Sequence, residues 1–157
     1  MRLSIKKGLS FGSTSGIITT LGLIVGLNSN THSHLVLIGG ILVIAIADAM
    51  SDALGIHISQ EAENKNTTVE IWESTIATFL SKFLFSLSFI IPVLFLPLST
   101  AIIVCISWGL GLIIILSYFL AKQQKINPFG VILEHLMISV IVIVITHYVG
   151  DWTATFT

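Results

Sequence analysis

The stretch HLVLIGGILVIAIADAMSDALGIHI, residues 34–58, reads as a membrane-crossing helix. It is apolar for most of its length and free of Asp, Glu, Lys and Arg until Asp48. A bilayer core is about 30 Å thick and is crossed by roughly 20 apolar helical residues. This segment is therefore long enough to span a membrane, and it carries two aspartates, Asp48 and Asp52, into the apolar layer.

The rest of the chain has the same character. No Asp, Glu, Lys or Arg occurs over residues 8–47 or 98–121. Of the 157 residues, 54% are hydrophobic and only 10% are charged, and the mean hydropathy is +0.99. A soluble domain carries about 25% charged residues, so this chain lacks the polar surface to fold in water. Five spans are expected: about Leu9–Leu27, His34–Ile58, Ile76–Leu96, Thr100–Ala121 and Phe129–Val149. The fold class is thus all-α, a polytopic membrane protein with one five-helix transmembrane domain over residues 1–157. The basic start of the chain is not read as a cleavable signal peptide, because the segment after it is Gly-rich, too long and without a small-x-small cleavage site.

Connections are short except for Gln60–Glu73, which holds Glu61, Glu63, Glu70 and Glu73. It is expected to prolong the second helix beyond the membrane and turn at 64–68. Pro97 and Ser99 stop one helix and cap the next. With five spans, Arg2, Lys6, Lys7, Lys65, Lys122 and Lys125 fall on one side, and Lys82, near the start of the third span, is expected to snorkel there. Basic loops mark the cytoplasm, so the N-terminus is inside, the C-terminus outside and the acidic connection cytoplasmic. The net charge of -1 gives no sign of nucleic-acid binding. Cys105 is the single cysteine, which excludes an internal disulfide.

A carboxylate at the centre of a span costs about 2.5–3.5 kcal/mol on insertion scales, so each one asks for a purpose. Asp48 and Asp52 are four residues apart and share one helix face. Asp48 lies 14 residues after His34, about 21 Å along the helix, in the cytoplasmic half. Glu134 is about six residues into the fifth span from the same side, at similar depth. Like charges on one face are relieved by a proton or a cation, and the ligand types fit a divalent metal: carboxylates for hard and borderline cations, imidazole for iron, manganese or zinc, thioether for softer ions. The candidate metal ligands are Asp48, Asp52, Met50, His57, Glu61 and Glu134. His135 points about 100° away from Glu134. His147 reads as an interfacial group, and His32 with His34 as a solvated loop pair.

Span one carries Gly8, Gly12 and Gly16, then Gly22 and Gly26, among Ser13, Thr14, Ser15, Thr19 and Thr20. Small residues every four positions let membrane helices approach closely. They fit either packing inside one protomer or a homodimer seam, both compatible with hydroxyls such as Ser15 and Thr19 lining a polar pathway, and the dimer is favoured.

Two of these segments resemble the vacuolar iron transporter family. FGSTSGIITTLGLIVGL, residues 11–27, is similar to its first helix. ADAMSDALGIHIS, residues 47–59, is similar to its second, which reads roughly A-D-A-x-S-M-A-x-G-E-Y-x-S; THYVG at 146–150 resembles the end of its last. The resemblance implies a homodimer that exports Fe2+ or Mn2+ from the cytosol in exchange for protons, with first-helix residues of both protomers along the pathway. It also implies a cytoplasmic metal-collecting domain between helices two and three. Here that domain shrinks to Gln60–Glu73. Ser15 stands where the family has Asp, Asp52 where it has Met, and Ile56 and His57 where it has Glu and Tyr. The chain is thus expected to be a small proton-coupled Fe2+/Mn2+ transporter of a prokaryotic cell membrane, not an enzyme, with no cofactor beyond its transported ion and with lipid, metal ions, protons and a second copy as partners. The rival expectation is a non-transporting structural or partner-binding membrane protein of the same fold.

Overall fold

The computed structural model describes residues 2–156. Five helices long and apolar enough to cross a membrane run Leu3–Thr31, His34–Ala62, Thr68–Phe95, Leu98–Gln124 and Pro128–Ala154. In hydrocarbon every backbone N–H and C=O must find a partner within the protein, which a helix supplies along its own length. Each helix overshoots the expected span by several residues, because capping and polar residues continue it past the apolar core.

The sequence marks where these helices begin and end. Ser33 Oγ accepts from the Val36 amide, Asn127 caps the fifth helix ahead of Pro128, and Thr67 with Glu70 closes a full capping box. His32 and Lys125 adopt left-handed φ values of 49° and 57° where the first and fourth helices end. The acidic connection turns at Asn64, as expected, and leaves only 63–67 outside helices. Two irregularities interrupt the spans. Residues Ile44–Asp48 form a π-turn, and the third helix breaks at Phe89 ahead of Pro92. Pro92 has no amide hydrogen for the Ser88 carbonyl. Polar groups near the break find partners in the fourth helix: Trp108 Nε1 donates to Ser88 Oγ at 3.1 Å and Cys105 Sγ to the Phe89 carbonyl at 3.8 Å.

The first helix is the axis of the bundle. Ile17, Leu21 and Ile24 are fully buried or nearly so against Leu37, Ile41, Phe89, Val93, Cys105 and Ile113. Its glycines set the helix spacing. A Cβ on Gly12 would collide with Ser81 Oγ and the Thr78 carbonyl, and one on Gly8 with the Ser74 carbonyl. Gly22 and Gly26 meet Val142 and Thr146 of the fifth helix, and Gly150 lies against the Gly26 carbonyl. The glycine stripe favoured above as a dimer seam is thus consumed within one chain: third helix on one part, fifth on the other. The apolar residues left outside, such as Val43, Ile46, Leu84 and Ile145, face the region that lipid occupies.

Candidate functional site

Asp48 and Asp52 do share a face, and a lysine fills the space in front of them. Lys82 Nζ lies 2.5 Å from Asp52 Oδ2 and 2.5 Å from Asp48 Oδ2. It also donates to Ser15 Oγ at 3.0 Å, and Ser15 in turn donates to Asp52 Oδ2 at 2.7 Å. The approach to Asp48 is an ion contact without hydrogen-bond alignment, so the buried Asp48 Oδ2 has no donor among the described residues. Lys82 is completely buried, whereas the side chains of Asp48 and Asp52 are 35% and 21% exposed. With all three ionised, one positive and two negative charges leave the cluster at -1.

This corrects the expectation that Lys82 snorkels to the surface. The third helix begins at Thr68, not near Ile76, so Lys82 sits 14 residues in, about 21 Å along the axis at 1.5 Å per residue. Asp48 is likewise 14 residues from the end of its helix at Ala62. The depths match, and the side chain turns inward. The Thr67-x-x-Glu70 box is the sequence signal that places the helix start correctly. The π-turn ends on Asp48, the first residue of the pair. Such turns re-aim side chains and are frequent at functional sites, and nothing in Ile44-Ala-Ile-Ala-Asp48 announces one.

The other candidates do not converge. Met50 is 59% exposed and lines an outward apolar groove between the second and third helices with Leu54, Trp72 and Ile76. His57 Nδ1 bonds Thr75 Oγ1 at 2.9 Å and its ring meets Trp72 edge-on. Glu61 is exposed, 3.9 Å from His57 Nε2. Glu134 is exposed on the fifth helix, which packs against the first and fourth helices, and has no hydrogen bond or ion pair among the described residues. Thr19 donates to the Ser15 carbonyl at 2.8 Å and so supports the helix beside the cluster. His135 bonds Ser117 at 2.8 Å, and His147 bonds Ser29 near the C-terminal end of the first helix. Among the described residues no three His, Cys, Asp or Glu side chains come together as a metal cluster. Of the expected set, the structure assembles Asp48, Asp52 and Ser15, and it adds Lys82.

Burying an ammonium and two carboxylates costs several kcal/mol per ion, and mutual attraction offsets this only with close geometry. The cluster has that geometry. Two carboxylate oxygens and a hydroxyl oxygen surround one positive charge, as they would surround a bound cation.

No family model, no curated protein and no solved structure matches this chain.

Proposed function

We propose that the chain is a proton-coupled transporter of a divalent transition-metal ion, Fe2+ or Mn2+, moving it out of the cytosol as a homodimer of five-helix protomers. The observation that carries this reading is the convergence of Asp48, Asp52 and Ser15 on one positive charge inside the membrane. The Lys82 ammonium is a tethered occupant of the cation position. A divalent ion that takes both carboxylates must expel that ammonium or its proton. Two carboxylates and a 2+ ion are neutral together, whereas a retained ammonium leaves a surplus positive charge in low dielectric. Because Lys82 is completely buried, losing the proton is the route by which its charge leaves the cluster, so metal in and proton out follow from charge compensation.

The dimer rests on the second helix instead of the glycines of the first. Ala47, Ser51 and Gly55 are four apart and exposed, and nothing lies within 4 Å of a Cβ on Gly39 or Gly55. A second copy on this face would cover the open side of Asp48. The test is Mn2+ binding to purified protein in weak buffer: binding should release protons, and both should vanish in Asp48→Ala/Asp52→Ala. Binding undiminished in that variant, or its absence from the unaltered protein, removes the proposal.

One observation favours a second reading, a membrane protein that moves nothing. Lys82 already neutralises one of the two carboxylates, so the cluster also serves as a structural cross-link between the second and third helices.

A further inference from the structure

A cleft of about 270 Å³ opens in the cytoplasmic half of the bundle, between the first helix, Ser81 and Phe85 of the third, and the cytoplasmic parts of the fourth and fifth. None of its lining residues belongs to the Asp48–Lys82–Asp52 cluster. Lys6 and Ser13 lie nine and two residues before Ser15, roughly 180–200° around the first helix at 3.6 residues per turn. The cleft therefore flanks the far side of that helix from the ion cluster.

Its rim and its wall differ in chemistry. Lys6, Ser10 and Gln123 stand at its rim with the exposed Phe119, while the half-buried Leu9, Phe85, Leu116 and Leu120 line an apolar wall. No carboxylate lines it. Lys6 has no acidic partner among the described residues, unlike Arg2, which pairs with Glu73. The Ser10 and Thr14 hydroxyls and the Gln123 amide likewise make no hydrogen bond among those residues, although all three face the cleft. The remaining polar groups are already engaged: Ser13 bonds the Leu9 carbonyl, Ser81 the Ala77 carbonyl, and Ser117 pairs with His135. The free polar capacity is thus the Lys6 ammonium, the Gln123 amide and the Ser10 hydroxyl at the rim, with the Thr14 hydroxyl deeper along the first helix.

The geometry points to a binding site for an anionic phospholipid of the cytoplasmic leaflet, its phosphate held by Lys6, Ser10 and Gln123 and an acyl chain laid along Phe85, Leu116 and Leu120. Basic pockets between membrane helices at the cytoplasmic surface select acidic head groups in this way, and an acyl chain gains roughly 0.8 kcal/mol for each methylene it buries. A soluble anion would use the rim alone and leave the apolar wall uncovered. The site does not depend on the transport reading.

The test is native mass spectrometry of the full chain released from nanodiscs of equal phosphatidylglycerol and phosphatidylcholine. The protein should retain one phosphatidylglycerol per chain in clear preference to phosphatidylcholine. Lys6→Gln should lower that preference about fivefold, the factor equivalent to the roughly 1 kcal/mol contributed by one basic residue at the surface. Leu116→Trp, which fills the cleft along that wall, should abolish retention of either lipid; should that variant fail to fold, Lys6→Gln with Ser10→Leu at the rim carries the test. Equal retention of the two lipids by the unaltered protein, unchanged preference in Lys6→Gln, or displacement of the lipid by millimolar inorganic phosphate would overturn the assignment.

Discussion

Lys82→Ala is the substitution with the most to say about the cluster. It deletes a completely buried ammonium and leaves Asp48 and Asp52 facing each other across the space it filled. Removing one partner of a buried ion pair costs about 3–5 kcal/mol. Here the carboxylates are 35% and 21% exposed, so partial solvation brings the expected cost to the lower end, about 3 kcal/mol. For a chain of this size each kcal/mol moves Tm by about 2–4 °C, giving a drop of roughly 6–12 °C. If the vacated position is a cation site, Mn2+ should restore much of the loss. A ligand at 100 times its Kd stabilises by about 2.7 kcal/mol, close to what the lysine provided. The assay is thermal unfolding of purified protein in detergent across a Mn2+ series, with Mg2+ and Na+ as controls. A large Tm drop that Mn2+ does not recover would mean that the cluster is a structural cross-link only. An unchanged Tm would refute the energetic argument itself.

Further outcomes follow from the same packing. Ser15→Ala removes the hydroxyl that accepts from Lys82 and donates to Asp52 and should cost about 1–3 kcal/mol, read as a lower Tm that Thr restores. Gly12→Val drives a side chain into Ser81 and the Thr78 carbonyl and should destabilise by about 1–3 kcal/mol or more, whereas Gly55→Val, with open space around it, should leave monomer stability unchanged. Ser51→Cys should form an intermolecular disulfide in oxidised membranes, while Ile145→Cys on the fifth helix should not; the reverse pattern would move the dimer seam. Arg2→Ala breaks an ion pair whose arginine is 66% exposed and should change stability by less than about 1 kcal/mol.

The five helices were legible because bilayer thickness imposes a length that soluble folds do not share, and residues 8–47 and 98–121 announce it by lacking charge. The Asp48/Asp52 pair was legible because i, i+4 spacing fixes a shared face whatever surrounds it. Their partner was not. The apolar residues of the third helix alone place its start near Ile76 and Lys82 near the surface, whereas the Thr67–Glu70 capping box starts it eight residues earlier, about 12 Å of depth. The glycine stripe was correctly read as a close-approach surface, but spacing alone carries no information on whether the approaching helix belongs to the same chain. The matched depths of Glu134 and the aspartates misled for a related reason: depth is one coordinate, and the fifth helix lies against the first and fourth, turning Glu134 outward. Met50, two residues from each aspartate, points to the groove because two residues are about 200° of helix.

The proposed function requires that the Asp48–Asp52 pair pass a divalent ion through the membrane. Mn2+ flux into proteoliposomes, followed together with internal pH, measures this directly. The account predicts Mn2+ movement coupled to opposite proton movement, lost in Asp48→Ala/Asp52→Ala while that variant still inserts and folds. Flux that persists in the variant, or no flux from the unaltered protein under any imposed proton gradient, would contradict it.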